Sequence, residues 1–261
     1  MSTRIGARTT RLLGVALLAS VCVAIVAGVQ AMRSYRELQA TRLHPLGLAF
    51  LPAAGAEARA QTRPLIAYLG DSRVEDWSPS GLPPGAVAVN LGLDTQTSAQ
   101  VMLRWSHHVT PRAPQVVVIQ VGINDLKTIP LFPELRDEIV DGCFANIRAM
   151  LAAARQDGSE VVLTTIVPPG PIPLLRRPVW SDEVRVAVDD VNARLLRLAG
   201  PGVQVLDVTP LFTRPDGSWD ERSSRDALHL TSEAYARLDR ALEPLLKNAL
   251  AVPEQATRPA P

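Results

Sequence analysis

The chain has few aromatic residues, few cysteines and almost no net charge. Aromatic side chains make up 4% of its 261 residues, and the formal charge at pH 7 is +1. Neither the basic surface nor the stacking side chains typical of nucleic-acid binding are visible, so no nucleic-acid partner is expected. Of the two cysteines, Cys22 lies in an apolar N-terminal segment and Cys143 in the remainder. No disulfide within the globular part is possible, so cysteine content does not identify the compartment.

The N-terminus contains a long apolar run. Leu12 to Val29 has one polar residue, Ser20, and follows a basic tail at residues 1–11. A helix of this run reaches roughly 27 Å, close to the thickness of the hydrocarbon core of a bilayer. Residues 12–31 are predicted to be a transmembrane signal anchor that places the following domain outside the cytoplasm. A cleaved signal peptide, which gives a secreted protein, is the main alternative, and a buried helix of a soluble fold is another.

Composition divides the rest of the chain into three parts. Residues 32–63 become rich in alanine, proline and glycine without a clear period, and they are predicted to be a tether. Residues 251–261 lack the apolar content of a core and are predicted to be disordered. Between them, 64–250 is predicted to be one domain, because a chain with 47% hydrophobic residues can fill a full core.

Apolar runs alternate with helical patterns throughout 64–250. Five runs rich in valine and isoleucine are typical of buried strands: 65–69, 86–91, 115–121, 160–166 and 203–208. Helices are predicted over 134–157, over 182–199 and from Thr231 onward. Strands that alternate with helices form right-handed crossovers. The prediction is therefore an α/β fold, with a five-stranded parallel sheet in a three-layer α/β/α sandwich.

Polar motifs follow the first and third of these runs, and another lies near the C-terminus. Gly70-Asp71-Ser72 ends the first run, and Gly122-Ile123-Asn124-Asp125 ends the third. Open α/β sheets bind ligands at the carboxyl ends of their strands. A serine hydroxyl needs a neighbouring base to take its proton. Ser72 is therefore predicted to be a nucleophile, with His229 as its base and Asp226, three residues earlier, orienting the imidazole.

A serine that attacks an ester also needs donors for the negative oxygen that develops. The candidates are the backbone N–H of Ser72, the side-chain amide of Asn124 and a backbone N–H in the loop after Asn90. Plainer roles are open as well: Ser72 as a helix N-cap, and Asn124 as a turn residue. A metal site at Asp226 and His229 lacks a third ligand nearby, so no metal or other cofactor is expected.

Together these motifs resemble the SGNH (GDSL-type) hydrolase family. Its four blocks appear in order: Gly70-Asp71-Ser72, Val89-Asn90-Leu91-Gly92, Gly122-Ile123-Asn124-Asp125 and Asp226-Ala227-Leu228-His229-Leu230-Thr231. The resemblance spans nearly all of 64–246 and implies a flavodoxin-like sheet that hydrolyses esters. It also implies a serine nucleophile at Ser72, an oxyanion donor at Asn124, and an orienter and base at Asp226 and His229.

Two stretches depart from the family pattern. The second-block glycine, whose backbone N–H binds the oxyanion in the family, falls on Thr95 in an ungapped alignment. Gly92 matches an earlier glycine of that block, so Gly92 and Thr95 are both candidate donors. Arg73 follows the nucleophile where the family more often has a small residue. Arg73, Arg176 and Arg177 are candidate contacts for an anionic substrate group, although surface arginines usually have no such partner.

Other polar residues are predicted to have structural roles. Asp71 ties its own loop through backbone N–H groups, and Asp125 caps the segment that follows it. Cys143 lies in the core. His107 and His108 form an exposed helix end.

The predicted function is a serine ester hydrolase that acts through an acyl-enzyme, anchored in a membrane or secreted. Its expected substrate is a small-molecule or polysaccharide ester, and a cell-envelope glycan or lipid ester that it de-acylates or de-acetylates is favoured. Two alternatives are an O-acyltransferase with the same triad, and a non-catalytic anchored module that kept the fold.

Overall fold

The computed structural model describes residues 2–51, 63–177 and 180–251. Most of the second half of the predicted tether (52–62) and all but one residue of the predicted C-terminal tail (252–261) lie outside this range. The chain divides into two compact units, Met1–Gly47 and Leu48–Pro261. Each unit is described by itself.

The N-terminal unit is dominated by one long helix, α1 (Ser2–Leu43). Its segment Leu13–Leu43 has a mean hydropathy of 2.3 in its most apolar window and is long enough to cross a membrane. The predicted apolar helix is therefore present, as a candidate signal anchor or signal sequence. The helix continues past residue 31, so the first part of the predicted tether is helical. Good helix formers such as Glu37, Leu38 and Ala40 account for this extension.

The larger unit alternates strands with helices. Its strands are β1 (Leu65–Gly70), β2 (Val87–Gly92), β3 (Val116–Gln120), β4 (Glu160–Thr164) and β5 (Val203–Leu206). Its helices are α2 (Ser72–Glu75), α3 (Ser98–Leu103), α4 (Trp105–His108), α5 (Ile123–Leu126), α6 (Arg136–Asp157), α7 (Glu183–Leu195), α8 (Thr209–Phe212) and α9 (Ser232–Ala251).

The five strands form one parallel sheet in the order β2-β1-β3-β4-β5. This order is that of flavodoxin-like folds, whose ligands bind where the chain switches direction between the first and third strands. Gly70 pairs with Gly92 of β2 on one side and with Gln120 of β3 on the other. The predicted fold class is confirmed, and the ends of three strands lie side by side.

Side chains from the two faces of the sheet form two separate cores. Leu69, Ile119 and Leu163 belong to the core that also contains the buried faces of α6 and α7. Tyr68 and Val118 belong to the core that contains the buried face of α9. The sheet is thus covered on both faces, which explains why its strands are continuous apolar runs.

Helix α6 shows how the apolar pattern becomes one of these faces. Its buried residues recur every three or four positions: Val140, Cys143, Ile147, Met150 and Ala154. Gly158 adopts a left-handed conformation (φ +73°) and ends the helix. Cys143 is 1% exposed, so its prediction as a core residue is confirmed.

The predicted exposed helix end at His107 and His108 is wrong for His108. The side chain of His108 is buried, because it lies on the inner side of α4. Burial, together with the nearby Arg104 and Arg112, lowers its pKa to about 4, against a backbone hydrogen bond to Leu48 that raises it. A pair of adjacent histidines on a helix faces two directions, and here one of them faces the core.

Candidate active site

The nucleophile turn, residues 70–77, begins where β1 ends. Asp71 is the N-cap of α2, and its Oδ1 accepts the backbone N–H of Arg73 at 3.0 Å. The predicted loop-tying role of Asp71 is therefore observed. Ser72 is the first residue of the helix rather than its cap, so its hydroxyl is not used for capping. Ser72 is 7% exposed, at the carboxyl end of a central strand.

Two side chains hold the backbone of this turn. Asn90 Nδ2 donates to the carbonyl oxygens of Val74 at 2.6 Å and Trp77 at 2.8 Å. The Tyr235 hydroxyl donates to the carbonyl oxygen of Arg73 at 2.7 Å. Asn90 belongs to the second sequence block, but its bonds to the turn could not be read from the sequence. The turn is therefore fixed both from β2 and from α9.

The carboxyl group of Asp71 is buried beside Ser72, the predicted nucleophile. Burial raises its pKa to about 6, despite the Arg73 guanidinium and the backbone N–H of Arg73, which lower it. The nearby Asp125 adds to the rise, and Lys127 opposes it. The turn thus carries a carboxyl group that ionises less readily than it does in water.

The His loop, residues 224–231, contains the predicted base and its orienter. His229 Nδ1 lies 2.9 Å from Asp226 Oδ2, so the structure brings this predicted pair together. Asp226 Oδ1 accepts the backbone N–H groups of Leu228 at 2.7 Å and of His229 at 2.8 Å. In a neutral imidazole that donates from Nδ1, the other nitrogen, Nε2, is free to accept a proton.

Asp226 is held in its ionised form by these contacts. Partial burial raises its pKa, but the hydrogen bonds from the His229 ring and from the backbone of His229 and Leu228 outweigh this effect and lower the pKa to about 2. The carboxylate is therefore charged at neutral pH. No group of three or more His, Cys, Asp or Glu side chains within the described residues is placed to hold a metal ion.

Arg73 connects the nucleophile turn to the His loop. Its Nε–H donates to the carbonyl oxygen of Leu228 at 2.9 Å, across 155 residues of sequence. The Arg225 guanidinium makes a second connection, 2.5 Å from Asp76 at the end of the turn. Arg73 itself is 2% exposed. The expectation that Arg73 contacts an anionic substrate from the surface is therefore wrong, because its guanidinium is used inside the protein.

Thr95 and Asn124 lie in the segments that follow β2 and β3, the two strands that flank β1. Asn124 is 3% exposed in the first turn of α5, and its Nδ2 donates to the carbonyl oxygen of Gln96 at 3.0 Å. One amide hydrogen of Asn124 is used in this bond, and an amide has two. Because Gln96 follows Thr95, the bond places Asn124 beside the second-block loop.

The two candidate second-block donors differ in conformation. Thr95 has φ +62°, a conformation that favours glycine. This agrees with the expectation that the family has a glycine at this position. The backbone N–H of Gly92 instead donates to Asn90 Oδ1 at 2.8 Å. A Cβ at position 92 would lie 2.0 Å from the backbone nitrogen of Glu75, so glycine there allows β2 to approach the nucleophile turn.

The prediction that Asp125 caps the segment that follows it is wrong. Its carboxylate accepts the hydroxyl of Ser98 at 2.6 Å and the backbone N–H of Ser98 at 2.8 Å. Asp125 therefore holds the start of α3, an element 27 residues earlier in the chain. Spacing along the sequence cannot show such a contact.

Arg104 is a further buried residue that sequence reasoning missed. It is fully buried, and its Nη2 donates to the carbonyl oxygens of Gly70 at 2.9 Å and Leu91 at 2.7 Å. Its Nε donates to the side chain of Gln96 at 2.6 Å. Burial lowers the pKa of Arg104 to about 10, so it stays a cation. It joins the ends of β1 and β2 to the loop that follows β2.

Comparison with known proteins identifies the family. The model of the GDSL-like Lipase/Acylhydrolase family matches residues 52–237. Platelet-activating factor acetylhydrolase IB subunit alpha2 of Gallus gallus is 28% identical over 196 residues, which cover 72% of this chain and 78% of that protein.

Solved structures agree in fold. A GDSL-like lipase from Bacteroides thetaiotaomicron superposes with a TM-score of 0.57 at 21% identity, covering 80% of this chain and 97% of that one. An acetylxylan esterase from Geobacillus stearothermophilus gives 0.52 at 17% identity, covering 74% and 96%.

The chain therefore belongs to the GDSL-like lipase/acylhydrolase family, as the four sequence blocks predicted. Its enzyme class, a carboxylic ester hydrolase, is that of the family.

Proposed function

We propose that Ser72 is the nucleophile of this hydrolase, with His229 as its base and Asp226 as the group that orients the imidazole. One observation carries the proposal. The bond from Arg73 Nε to the Leu228 carbonyl joins the residue after Ser72 to the residue before His229. The imidazole is at the same time held at Nδ1 by Asp226, which leaves Nε2 to act on the serine.

The reaction takes place in two transfers. As Ser72 Oγ attacks the ester carbonyl, His229 Nε2 takes the hydroxyl proton and then gives it to the leaving alcohol, which produces an acyl-enzyme. Water then attacks the acyl group and gives a proton to His229. That proton returns to Ser72 Oγ as the carboxylic acid leaves. Asp226, ionised at neutral pH, stabilises the imidazolium that forms in both transfers.

The oxyanion is assigned to three donors: the backbone N–H groups of Ser72 and Thr95, and the second amide hydrogen of Asn124. Thr95 is preferred to Gly92 because the Gly92 N–H is already bound to Asn90. The bond from Asn124 to Gln96, the residue after Thr95, supports the proposal that Asn124 and Thr95 donate to the same oxyanion. Such donors are effective when they are fixed before the reaction, and buried Asn124 meets that condition.

The proposed acyl group is short, and acetyl is favoured. Two proteins to which the chain is similar are named for acetyl release, a platelet-activating factor acetylhydrolase and an acetylxylan esterase. The proposed substrate is an acylated glycan or lipid of the cell envelope, because an enzyme anchored by residues 12–31 with its domain outside the cytoplasm meets those esters first. Helix α1 is long and apolar enough for such an anchor.

The anchor and the substrate are tested separately. Full-length chain recovered from membranes with an intact N-terminus by mass spectrometry supports a signal anchor, whereas a mature form that begins near Ala31 shows cleavage. For the substrate, the full chain in detergent is assayed against 4-nitrophenyl esters of increasing length and against acetylated glycans. Release of free acetate indicates hydrolysis, and transfer to an added sugar indicates the acyltransferase alternative.

The catalytic assignment is tested with a fluorophosphonate probe, which reacts covalently with activated serines. Labelling of the full chain is expected to disappear in Ser72→Ala and to persist in Ser106→Ala, which removes an exposed serine on α4. Labelling that survives in Ser72→Ala contradicts the nucleophile assignment.

A further inference from the structure

Arg73 is a charged residue in an unusual place. It directly follows the proposed nucleophile, yet it is 2% exposed and among the largest fully buried side chains of the protein. Arginine almost never occurs fully buried without specific partners. Its side chain therefore requires an explanation in terms of what the guanidinium binds.

The guanidinium of Arg73 binds two backbone carbonyls from distant segments. Nε–H donates to Leu228 at 2.9 Å, and Nη1–H donates to Val167 at 2.6 Å. Leu228 precedes His229, and Val167 lies in the segment that follows β4. The two segments also touch directly, since the backbone N–H of Gly170 donates to Ala227 at 3.0 Å. Arg73 thus closes a connection among three segments, two of which carry the proposed nucleophile and base.

Hydrogen bonds fix both the backbone N–H and the backbone carbonyl of Arg73. Its backbone N–H donates to Asp71 Oδ1, and its carbonyl oxygen accepts the hydroxyl of Tyr235. A guanidinium is planar, so its donors point in set directions relative to one another. Because the backbone of Arg73 is held and its guanidinium is planar and rigid, Arg73 sets the position of the Leu228 carbonyl relative to Ser72.

Burial of a charged guanidinium at this position has an unfavourable desolvation free energy. Burial lowers the pKa of Arg73, and the Asp71 and Asp226 carboxylates act in the opposite direction. One nitrogen, Nη2, has no hydrogen-bond partner among the residues that the structure describes. Well-packed apolar residues often replace buried charges without loss of stability. The two charge-assisted bonds to backbone carbonyls are therefore the feature that distinguishes arginine from an apolar residue here.

We propose that Arg73 is a positioning residue, which holds the loop of His229 at the distance from Ser72 that proton transfer requires. The inference rests on the proposed roles of Ser72 and His229. The guanidinium of Arg73 binds backbone carbonyls, and in this role Arg73 acts only through the Leu228–His229 backbone.

The test is a double-mutant cycle on the full chain in detergent, with 4-nitrophenyl acetate as substrate. Arg73→Met is expected to lower kcat about 10²-fold with little change in KM, because a misplaced base slows the chemical step more than binding. In the His229→Ala background, Arg73→Met is expected to have no further effect on the residual rate. A further loss in that background shows that Arg73 does not act through the base, and it overturns the proposal.

Arg73→Lys keeps the charge and allows the test if Arg73→Met does not fold. Lysine can reach one carbonyl but cannot bridge two in the fixed geometry, so kcat is expected to fall about tenfold with an unchanged unfolding midpoint. Arg194→Met, which removes an exposed ion pair with Asp141, is the matched control and is expected to keep full activity. Full kcat in every Arg73 variant that folds overturns the proposal, including Arg73→Lys alone where Arg73→Met does not fold.

The same experiment separates this inference from the proposed function. Full activity in Ser72→Ala and His229→Ala shows that the proposed function is wrong. Loss of activity in those variants, together with full activity in both Arg73 variants, shows that only the positioning role is wrong.

Discussion

The proposed mechanism requires the nucleophile turn and the His loop to be positioned with equal precision, yet the two segments are built differently. Six residues of the turn are buried: Gly70, Asp71, Ser72, Arg73, Val74 and Trp77. In the His loop, the side chain of Asp226 is 47% exposed and that of His229 is 30% exposed. The core fixes the turn, whereas hydrogen bonds near the solvent fix much of the loop.

This difference indicates where the site is most easily disturbed. Segments with exposed hydrogen bonds and few apolar contacts open at lower free energy than core strands do. The position of the proposed nucleophile, Ser72, therefore depends on the integrity of the whole domain, and that of the proposed base, His229, depends on a small set of local contacts. The bond from Arg73 to Leu228 matters because it extends the rigid region into the loop.

The largest expected effect comes from removing the base itself. His229→Ala is expected to lower kcat/KM by ~10³-fold or more, because Ser72 then has no group to take its proton. Ester hydrolysis of the full chain measures this loss, with His107→Ala as the control at an exposed histidine. The unfolding midpoint of His229→Ala is expected to stay close to that of the wild type, since the loop lies at the surface. Retained activity contradicts the role of His229.

A smaller effect is expected at the oxyanion donor. Asn124→Ala is expected to lower kcat by about 10²–10³-fold, because it removes a fixed hydrogen bond to the developing charge. Asn146→Ala is a suitable control, because Asn146 also makes one hydrogen bond nearby, from Nδ2 to Ser98 Oγ at 3.0 Å. Equal activity of the two variants on a short acyl ester shows that Asn124 is only a turn residue.

The buried carboxyl group of the turn predicts a pH-dependent stability. The pKa of Asp71 is raised from 3.8 to about 6, chiefly by burial. Between about pH 4 and pH 6 the folded protein holds a proton that the unfolded chain has released, so this group's contribution to the free energy of unfolding falls as pH rises and is constant above that window.

The variant that tests this contribution is Asp71→Asn. Relative to the wild type, its free energy of unfolding is expected to increase by ~1–3 kcal/mol between pH 4 and pH 7. Denaturant titrations at the two pH values measure the difference. The same pH dependence in variant and wild type shows that Asp71 ionises normally in the folded protein.

The smallest effect is expected at Thr95, in the loop that follows β2. Thr95→Gly is expected to raise the free energy of unfolding by ~1 kcal/mol or less, since it relieves a left-handed threonine and adds the entropy cost of glycine. Activity is expected to stay within about threefold, because the backbone N–H is kept.

A threonine in an ordinary conformation provides the comparison for Thr95. Thr213 has φ −116°, so Thr213→Gly is expected to be destabilising. A loss of stability at both positions shows that the conformation of Thr95 is not strained.

Much of the fold could be predicted because buried parallel strands have a simple signature. All five predicted strands are present, and their ends differ from the observed ones by no more than two residues. Continuous runs of valine and isoleucine occur where both faces of the sheet are covered. The pairing of Asp226 with His229 was also predictable, because a separation of three residues in a turn places both side chains on the same side of that turn.

The contacts that position the site could not be predicted. Arg73 and Arg104 are residue types that usually lie at the surface, and their burial depends on carbonyl groups from distant segments. Asp125 was expected to act locally and instead holds Ser98. His108 was expected in solvent and lies in the core. In each case the partner is distant in sequence, and no periodicity records it.

Position 92 places an unusual restriction on any redesign of this enzyme. The backbone of β2 passes so close to that of Glu75 that even a methyl group at Gly92 would collide with it. Relief of that collision requires the turn that carries Ser72, the proposed nucleophile, to move away from β2. A substitution at Gly92 made to stabilise β2 is therefore expected to change turnover as well, because the same backbone contact supports both the sheet and the turn that carries Ser72.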